Sequence, residues 1–399
     1  MSFNDFSEIL LDLQGVKITK VIQEERKTLI YLEHRSRAGK CPHCGAICGT
    51  IHDYREQRIK DIPAFGKDVI LVLRKRRLHC HHCQRHFQQK LDWLPKYHRM
   101  TNRLVAHILC LLTDVRSFTS VARELNLSIT TIIRKFDLVS YPKPHMLPLT
   151  LAIDEFKGNT GGQKYNCIIT DPTNHQVLDI LEKRYGYYVN GYFRQYSKEE
   201  RNKVKLFVSD MWSPYQECAR WYFPNATRII DKYHWTRQMT WAFENVRKAE
   251  QKKFNKQYRI YFKRSRYLLL QPFEKLSPKQ QRQVLVMLDV SANLSRSHFY
   301  KERLQKIIRM SDVNVKKQEF KKWLEYTRDA SIPQFRRCTD TYYHWLPEIL
   351  NSMDTPVTNG FTEGCNNKIK VLKRNAYGFR NFRRFRNRVL HIFSNQRAA

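Results

Sequence analysis

Residues 149–156 alternate between large apolar residues and smaller or polar ones with a period of two, which is the period of a β-strand. The large apolar residues fall on one face of this predicted strand and Asp154 falls on the other. Two more apolar runs follow at 164–171 and 175–184, so we predict an antiparallel meander of three strands. Its first strand carries an acid on the face opposite its leucines.

After the meander, helical and strand patterns alternate. The sequence predicts a helix at about 190–203, a strand at 205–210, a helix at 213–223 that Ser213 caps and Pro214 opens, and a strand at 226–231. Three antiparallel strands followed by helix–strand alternation is the order of a ribonuclease-H-like fold. We therefore predict an α/β (α+β) core of that kind.

Two further acids stand at the ends of predicted elements. Asp210 closes the strand at 205–210, and a carboxylate at the carboxyl end of a buried strand lies at the open edge of a sheet. Glu363 begins a stretch with helical spacing, which Thr362 can cap. The ribonuclease-H-like fold places acids on its first and fourth strands and on a late helix. Asp154, Asp210 and Glu363 occupy those elements.

Three such acids suit metal-assisted phosphoryl transfer. Two Mg²⁺ (or Mn²⁺) ions about 4 Å apart can activate an attacking oxygen and stabilise a leaving one. Mg²⁺ prefers carboxylate oxygens and keeps several waters, so few protein ligands are needed. For any one of Asp154, Asp210 and Glu363 alone, the competing interpretation is a cap or a surface charge.

A long helical stretch separates the last two acids. Residues 232–350 show helical periodicity, interrupted near Pro272, Pro278 and Pro333, and we interpret about 240–350 as an insertion into the catalytic domain. The predicted domains are listed here in chain order: a zinc-binding module at 1–97, a helix-turn-helix at 98–141, a proline-containing linker at 142–148, and the catalytic domain with its insertion at 149–399.

Two Cys-x-x-Cys pairs stand in the N-terminal part, Cys41 with Cys44 and Cys80 with Cys83. Two such pairs predict a structural Zn²⁺ site with four thiolate ligands. Buried thiols or a redox pair are the alternatives. The gap between the pairs has room for two strands.

Residues 117–136 predict a helix, a short turn and a second helix at about 129–137, with Ser128 as its cap. This pattern is typical of a DNA-binding helix-turn-helix, although any helical hairpin looks similar. The residues of the second helix that could face DNA are Thr130, Thr131, Arg134 and Lys135.

The segment from 364 to 399 contains no acid and many cations. Apolar residues recur at helical spacing within it, so one face packs and the other is basic. A solvated basic face and a surface that grips DNA phosphates are both consistent with this pattern. The candidate phosphate contacts are Lys368, Lys370, Lys373, Arg374, Arg383 and Arg384.

Composition narrows the class of partner. The chain has 72 Lys and Arg against 37 Asp and Glu, a formal net charge of +35, which predicts a polyanion such as double-stranded DNA. Aromatic residues make up 13%, so we expect a folded protein. We predict no membrane association, reduced cysteines and a cytoplasmic, nucleoid-associated location, because no secretory signal or 18-residue apolar run is found.

Several motifs together resemble one family of proteins. They are, in chain order, CPHCG with CHHCQRHF, the helix-turn-helix, AIDEF, VSDMWSPY, IIDKYHW, and NGFTEGCNNKIKVLKRNAYGFRNFRRFRNR. Their order over nearly the whole chain resembles the ISL3 family of bacterial insertion-sequence transposases, which are of the DDE class. The last motif is the most specific one.

The resemblance implies that Asp154, Asp210 and Glu363 form the catalytic triad and hold two Mg²⁺ ions. It also implies binding to the element's terminal inverted repeats, cleavage that frees a 3′-hydroxyl, and attack of that hydroxyl on target DNA. By the same analogy we expect a homodimer or higher oligomer on DNA.

Asp231 is the main rival acid, because it also ends a predicted strand, and His234 stands near it. We interpret the two as groups behind the metal ligands, or Asp231 as a helix cap. Two other functions remain open: a DNA-binding regulator with an inactive catalytic-like domain, and a nuclease without strand transfer.

Overall fold

The computed structural model describes residues 11–328 and 331–394. The chain forms two compact units. Of the described residues, the first unit contains 11–141 together with 369–379 and 383–394, and the second contains those of 142–368 with 380–382. The last part of the chain therefore groups with the N-terminal unit, whereas the sequence pattern assigned all of 149–399 to one domain.

The first unit begins with seven strands: β1 (Val16–Gln23), β2 (Lys27–His34), β3 (Gly39–Lys40), β4 (Ile47–Cys48), β5 (Ile51–Ala64), β6 (Lys67–His79) and β7 (His86–Gln88). Five of them form a sheet of order β1-β2-β6-β5, in which β7 pairs with the carboxyl end of β6. Aliphatic residues at alternate positions of β2 and β6 form its core with β1.

Three short helices follow: α1 (Asn102–Leu111), α2 (Phe118–Glu124) and α3 (Ile129–Phe136). The predicted cap is confirmed, since the Ser128 hydroxyl accepts a hydrogen bond from the Thr131 amide at 3.2 Å. Ala122 is buried at the crossing of α2 and α3, where a larger side chain would hold the helices apart.

The second unit contains a mixed sheet of order β10-β9-β8-β11-β12. β8, β9 and β10 are antiparallel, and β11 runs parallel to both β8 and β12. The strands are β8 (Thr150–Thr160), β9 (Gln163–Asp171), β10 (Gln176–Leu181), β11 (Leu206–Ser209) and β12 (Thr227–Ile230). The predicted three-strand meander and the two following strands are present.

Both faces of this sheet are covered. Leu151 and Ile153 pack with the helices α4 (Gly186–Phe193) and α6 (Ser213–Tyr222) on one face. Ala152 packs with residues of β11 and β12 on the other face, which is the face of Asp154 by strand alternation.

Two local expectations were wrong. The helix predicted at about 190–203 is two helices, α4 and α5 (Lys198–Asn202), because Ser197 starts a new helix by accepting a hydrogen bond from the Glu200 amide. Trp212 holds the N-cap position of α6 in place of Ser213, and no side chain caps that helix.

The predicted insertion is helical throughout the described residues. Its core contains Trp235, Phe320, Trp323 and Tyr342. The helices are α7 (Lys232–Gln251), α8 (Lys256–Arg264), α9 (Arg266–Leu270), α10 (Pro278–Asp289), α11 (Ala292–Ile308), α12 (Val313–Arg328), α13 (Pro333–His344) and α14 (Leu346–Asn351).

Two helices complete the chain, α15 (Gly360–Asn375) and α16 (Phe382–Ser394). Pro278 and Pro333 open α10 and α13, and Pro272 precedes a short 3₁₀ turn, so all three mark helix boundaries as predicted. Among residues 11–328 and 331–394, no helix is long and apolar enough to cross a membrane.

Candidate active site

Strand register brings three acids into one row at the edge of the second sheet. Ala152 of β8 lies opposite Val208 of β11, so two residues further Asp154 lies opposite Asp210. Ser209 of β11 lies opposite Ile230 of β12, so the next pair is Asp210 and Asp231. The Asp231 amide donates to the Ser209 carbonyl at 2.9 Å, which continues the ladder to these residues. This edge is where parallel strands of α/β proteins present functional groups.

Asp154 is buried, with 8% of its surface exposed. Burial raises its pKa to about 7, and the negative charges of Glu155, Asp231 and Glu363 also raise it. Burial likewise raises the pKa of Asp210 to about 7, with Asp154 and Glu155 as further causes. The two acids thus lie within electrostatic reach of each other and are costly to ionise at this edge.

Glu363 lies in the first turn of α15 and is exposed. Thr362 is not the cap that the sequence predicted. It is fully buried inside the first turn, and its hydroxyl shares a hydrogen bond of 2.7 Å with the Thr170 hydroxyl of β9. This bond attaches the start of α15 to the sheet, and it therefore fixes the position of the backbone next to Glu363.

One turn along α15, Asn366 contacts the first acid directly. Its side-chain Nδ2 donates to Asp154 Oδ2 at 2.9 Å, and the Asn366 side chain is buried. Asn366 was not among the predicted site residues. The signal was its spacing of three residues from Glu363, which puts both side chains on one side of a helix.

Asp231 occupies the N-cap position of α7, but its side chain caps nothing there. Its Oδ1 accepts instead from the Asn359 amide at 3.0 Å, immediately before α15. His234 lies one turn into α7, and burial lowers its pKa against the opposing influence of Asp231, Glu363 and Glu155. Both residues therefore lie beside the acids.

Arg184 was also missed. Its Nη1 donates to Glu155 Oε2 at 2.5 Å, and its guanidinium lies 4.9 Å from the Trp212 ring and 4.7 Å from the Tyr165 ring. Its charge opposes the rise in the pKa of Asp210. Only a basic residue beside aromatic ones marked it in the sequence, and such a pattern is common on protein surfaces.

The acids fit a divalent cation. Asp210 Oδ1 and Asn366 Oδ1 are both shielded from solvent without a hydrogen-bond partner, and such orphaned oxygens are ready ligands. The acids are not tightly gathered, however. Within the described chain, the four zinc-knuckle cysteines are the one set of three or more His, Cys, Asp or Glu whose ligand atoms all lie within 4.8 Å.

Those cysteines form a site suited to tetrahedral zinc. Cys41 Sγ lies 3.6 Å from Cys83 Sγ, and Cys44 Sγ lies 3.5 Å from Cys80 Sγ. Cys41 and Cys44 lie in the β3–β4 hairpin, and Cys80 and Cys83 lie between β6 and β7. A hydrogen bond from the Cys83 amide is the largest cause that lowers the pKa of Cys80, to about 5, which favours a thiolate.

The predicted DNA contacts differ in exposure. Thr130, Arg134, Lys370, Arg374 and Arg383 are exposed, whereas Thr131, Lys135, Lys368, Lys373 and Arg384 are half-buried. Arg384 is engaged within the first unit, because its Nε and Nη2 donate to both carboxylate oxygens of Asp137 at 2.8 and 2.6 Å. Its charge is therefore largely neutralised.

Comparison with known proteins supplies the family. Residues 37–83 match the zinc finger of the IS204/IS1001/IS1096/IS1165 transposases, residues 89–140 the helix-turn-helix domain of ISL3-family transposases, and residues 151–389 the DDE transposase domain of ISL3.

Two relatives were found among curated proteins. The transposase for insertion sequence element IS1001 of Bordetella parapertussis is 27% identical over 374 residues, which are 92% of each chain. An ATP-dependent protease of Lactococcus lactis subsp. lactis is 42% identical over only 65 residues, 16% of this chain and 21% of that one. The short match carries no argument about the whole protein. The matches over both units agree with each other, and the chain belongs to the ISL3 family of insertion-sequence transposases.

Proposed function

We propose that the second unit is a ribonuclease-H-like polynucleotidyl transferase centre and that Asp154, Asp210 and Glu363 are its catalytic carboxylates. The sheet order, with the antiparallel meander followed by two parallel strands, supports this fold assignment. The observation that supports the proposal is the register that puts buried Asp154 and half-buried Asp210, both with raised pKa, on neighbouring strands, with Glu363 contributing to the raised pKa of Asp154.

Two Mg²⁺ (or Mn²⁺) ions bound by these three carboxylates would supply charge stabilisation for the attacking and leaving oxygens of a DNA phosphate. The chain's own residues prepare the site. Asn366 orients the Asp154 carboxylate by its hydrogen bond, and the Thr170–Thr362 bond holds the start of α15. Because the pKa values of Asp154 and Asp210 are raised to about 7, these two side chains would lose any bound protons if they held a cation.

The groups behind the carboxylates have positioning roles. Asp231 holds the Asn359 amide and so fixes the segment that leads into Glu363. Burial lowers the pKa of His234, which lies one turn into α7 beside Asp231, and we assign its ring a positioning role behind the carboxylates. Arg184 restrains the Glu155 carboxylate through their ion pair, and its charge opposes the rise in the pKa of Asp210.

DNA binding belongs to the basic surfaces. We propose that Thr130, Thr131, Arg134 and Lys135 of α3 contact the terminal inverted repeats, as the second helix of a helix-turn-helix does. The exposed Lys370, Arg374 and Arg383 are the better phosphate contacts, because Arg384 already has a carboxylate partner. The protein would act as a homodimer or higher oligomer on paired ends and a target duplex.

The test is DNA cleavage and joining. Purified protein is incubated with Mg²⁺ and a plasmid that carries the element's own ends. We expect nicks at both ends and joined product from the wild type. Asp210→Ala and Glu363→Ala should each lose about 10³-fold in rate, which corresponds to several kcal/mol of lost transition-state stabilisation, while end binding persists.

Glu217→Gln is the matched control, since Glu217 is an exposed acid of the neighbouring helix α6 and should retain activity. End binding without any cutting by the folded, zinc-loaded wild type would favour the regulator. Cutting without joined product would favour a nuclease that lacks strand transfer.

A further inference from the structure

A cavity of about 520 Å³ opens directly beside Glu363 and Asp231. Its walls come from the start of α7 and the end of α11, so the helical insertion forms most of it. This volume lies within the range of pockets that enclose a small organic group. Glu363 lines one end of the cavity, but the catalytic carboxylates and the predicted DNA contacts do not account for the rest of it.

The polar group that points to a ligand is Gln305 on α11. It lines the cavity, and its Oε1 is shielded from solvent without any hydrogen-bond partner among the described residues. A carboxamide offers an acceptor and a donor side by side, and an acceptor shielded from solvent without a partner is unfavourable. A ligand with a donor and an acceptor on one edge would satisfy Oε1 and could also accept from the amide nitrogen beside it.

The rest of the cavity suits a flat, apolar-faced ligand. Tyr233 presents a half-exposed ring, and Met239, Pro272 and Ile308 provide apolar walls. Nucleobases that enzymes take out of a duplex are held in this way, with the ring between aromatic or apolar side chains and the edge bonded to polar groups. An acidic peptide would have little use for these apolar walls.

Charge around the cavity fits a nucleotide in one orientation. Lys232 and Arg309 line it, and no carboxylate of the described residues forms an ion pair with Lys232. Arg309 pairs with the exposed Glu274 at 2.9 Å, a contact that solvent weakens. The acids lie at the end where the scissile phosphate would meet the cations, and the lysine can hold the neighbouring phosphate.

We propose that this cavity binds one nucleobase, unstacked from the duplex at the nucleotide next to the scissile phosphate, with the Gln305 carboxamide bonded to its Watson–Crick edge. This inference rests on the proposed function, because it needs the scissile phosphate at Glu363. It assigns to the helical insertion a role in positioning DNA.

The test compares two altered terminal-repeat duplexes at each nucleotide that flanks the cleavage site. In one, the base is kept but the opposite base is removed, so unstacking costs less. In the other, the base itself is removed. Binding is measured with Ca²⁺ in place of Mg²⁺ so that the strands stay uncut.

For one flanking nucleotide, we expect the wild type to bind the first duplex about tenfold more tightly than the second, which is the scale of one stacked and bonded base. Gln305→Ala should reduce this ratio to about twofold or less. Gln318→Ala, a change of an exposed glutamine on α12, should preserve it.

Equal affinity for both duplexes at both positions would overturn base binding, as would an unchanged ratio in folded Gln305→Ala. Should Gln305→Ala fail to fold, Tyr233→Leu gives the same test at a half-exposed position. Cleavage in Mg²⁺ is scored separately, so a protein that cuts DNA but shows no preference loses only this inference. A preference without cutting supports base binding and counts against the catalytic assignment.

Discussion

At the scale of single residues, the candidate site is defined by carboxylates that are held where ionisation is unfavourable. Asp154 and Asp210 have pKa values of about 7 against an ordinary 3.8, with burial as the largest cause. In the unfolded chain both would ionise near pH 4. The folded protein therefore binds more protons between pH 4 and 7, and its free energy of unfolding falls as the pH rises through that interval.

The consequence can be measured with Asp210→Asn, which removes one of these charges at nearly constant shape. In metal-free protein at pH 8, we expect the variant to melt several degrees above the wild type. Its free energy of unfolding should exceed that of the wild type by at most about 4 kcal/mol. The difference should narrow as the pH falls toward 4. Added Mg²⁺ should raise the melting temperature of the wild type and have little effect on the variant.

Calorimetry across pH 4–8, with and without Mg²⁺, measures these melting temperatures. Glu217→Gln is the control, and its melting temperature should follow that of the wild type under all of these conditions. Equal pH dependence in the wild type and Asp210→Asn would mean that Asp210 is not held in the protonated form.

At the scale of elements, the sequence predicted what depends on local periodicity. The strand that carries Asp154, the strand before Asp210 and the helix that follows Ser128 were all predictable, because apolar spacing and capping are local properties. Asn366 and Arg184 were not predicted, since their roles depend on which distant residue lies opposite, and helical spacing from Glu363 was the one signal for Asn366. The placement of α16 was missed for the same reason: its amphipathic pattern says that one face packs, without saying against what.

In the first unit, α16 completes the helix-turn-helix. Arg388 is 1% exposed, and its two Nη atoms donate to the carbonyls of Leu112, Asp114 and Arg116 around the end of α1 and the start of α2. Nearby, the His391 ring contacts the Leu109 carbonyl at 2.8 Å. The basic C-terminal segment is thus partly a structural element of the DNA-binding region, and not only a phosphate-binding face.

Arg388→Ala should therefore destabilise the first unit by about 3 kcal/mol or more, because three carbonyls lose their donor and a cavity is left. Arg388→Lys should recover only part of this loss, since an ammonium lacks the planar fork that reaches several acceptors. Thermal unfolding and binding to the terminal repeats are the measurements. Arg383→Ala, which changes an exposed arginine on the same helix, should weaken binding without lowering the melting temperature. A stable Arg388→Ala protein with normal end binding would contradict this role for α16.

At the scale of the whole molecule, the charge excess and the two units have separate consequences. The formal charge of +35 acts on any DNA, because phosphates release their counterions whatever the base sequence. Recognition of particular ends requires base contacts, which we assign to α3 in the first unit. We assign the chemistry to the carboxylates of the second unit. Non-specific affinity, end recognition and cleavage should therefore respond to different substitutions.

Arg374→Ala tests this separation for the basic surface. Arg374 is exposed in the last turn of α15, and as a phosphate contact it should contribute about one released counterion. The slope of log affinity against log salt concentration should then become shallower by about 1, equally for terminal-repeat and unrelated DNA. Lys17→Ala is the matched control, because it removes the same charge from an exposed position on β1 and should leave the slope nearly unchanged. A loss confined to terminal-repeat DNA would show that Arg374 reads bases. A slope that matches the control would show that it contacts no phosphate, and that the predicted phosphate-binding face must then be sought among Lys370 and Arg383.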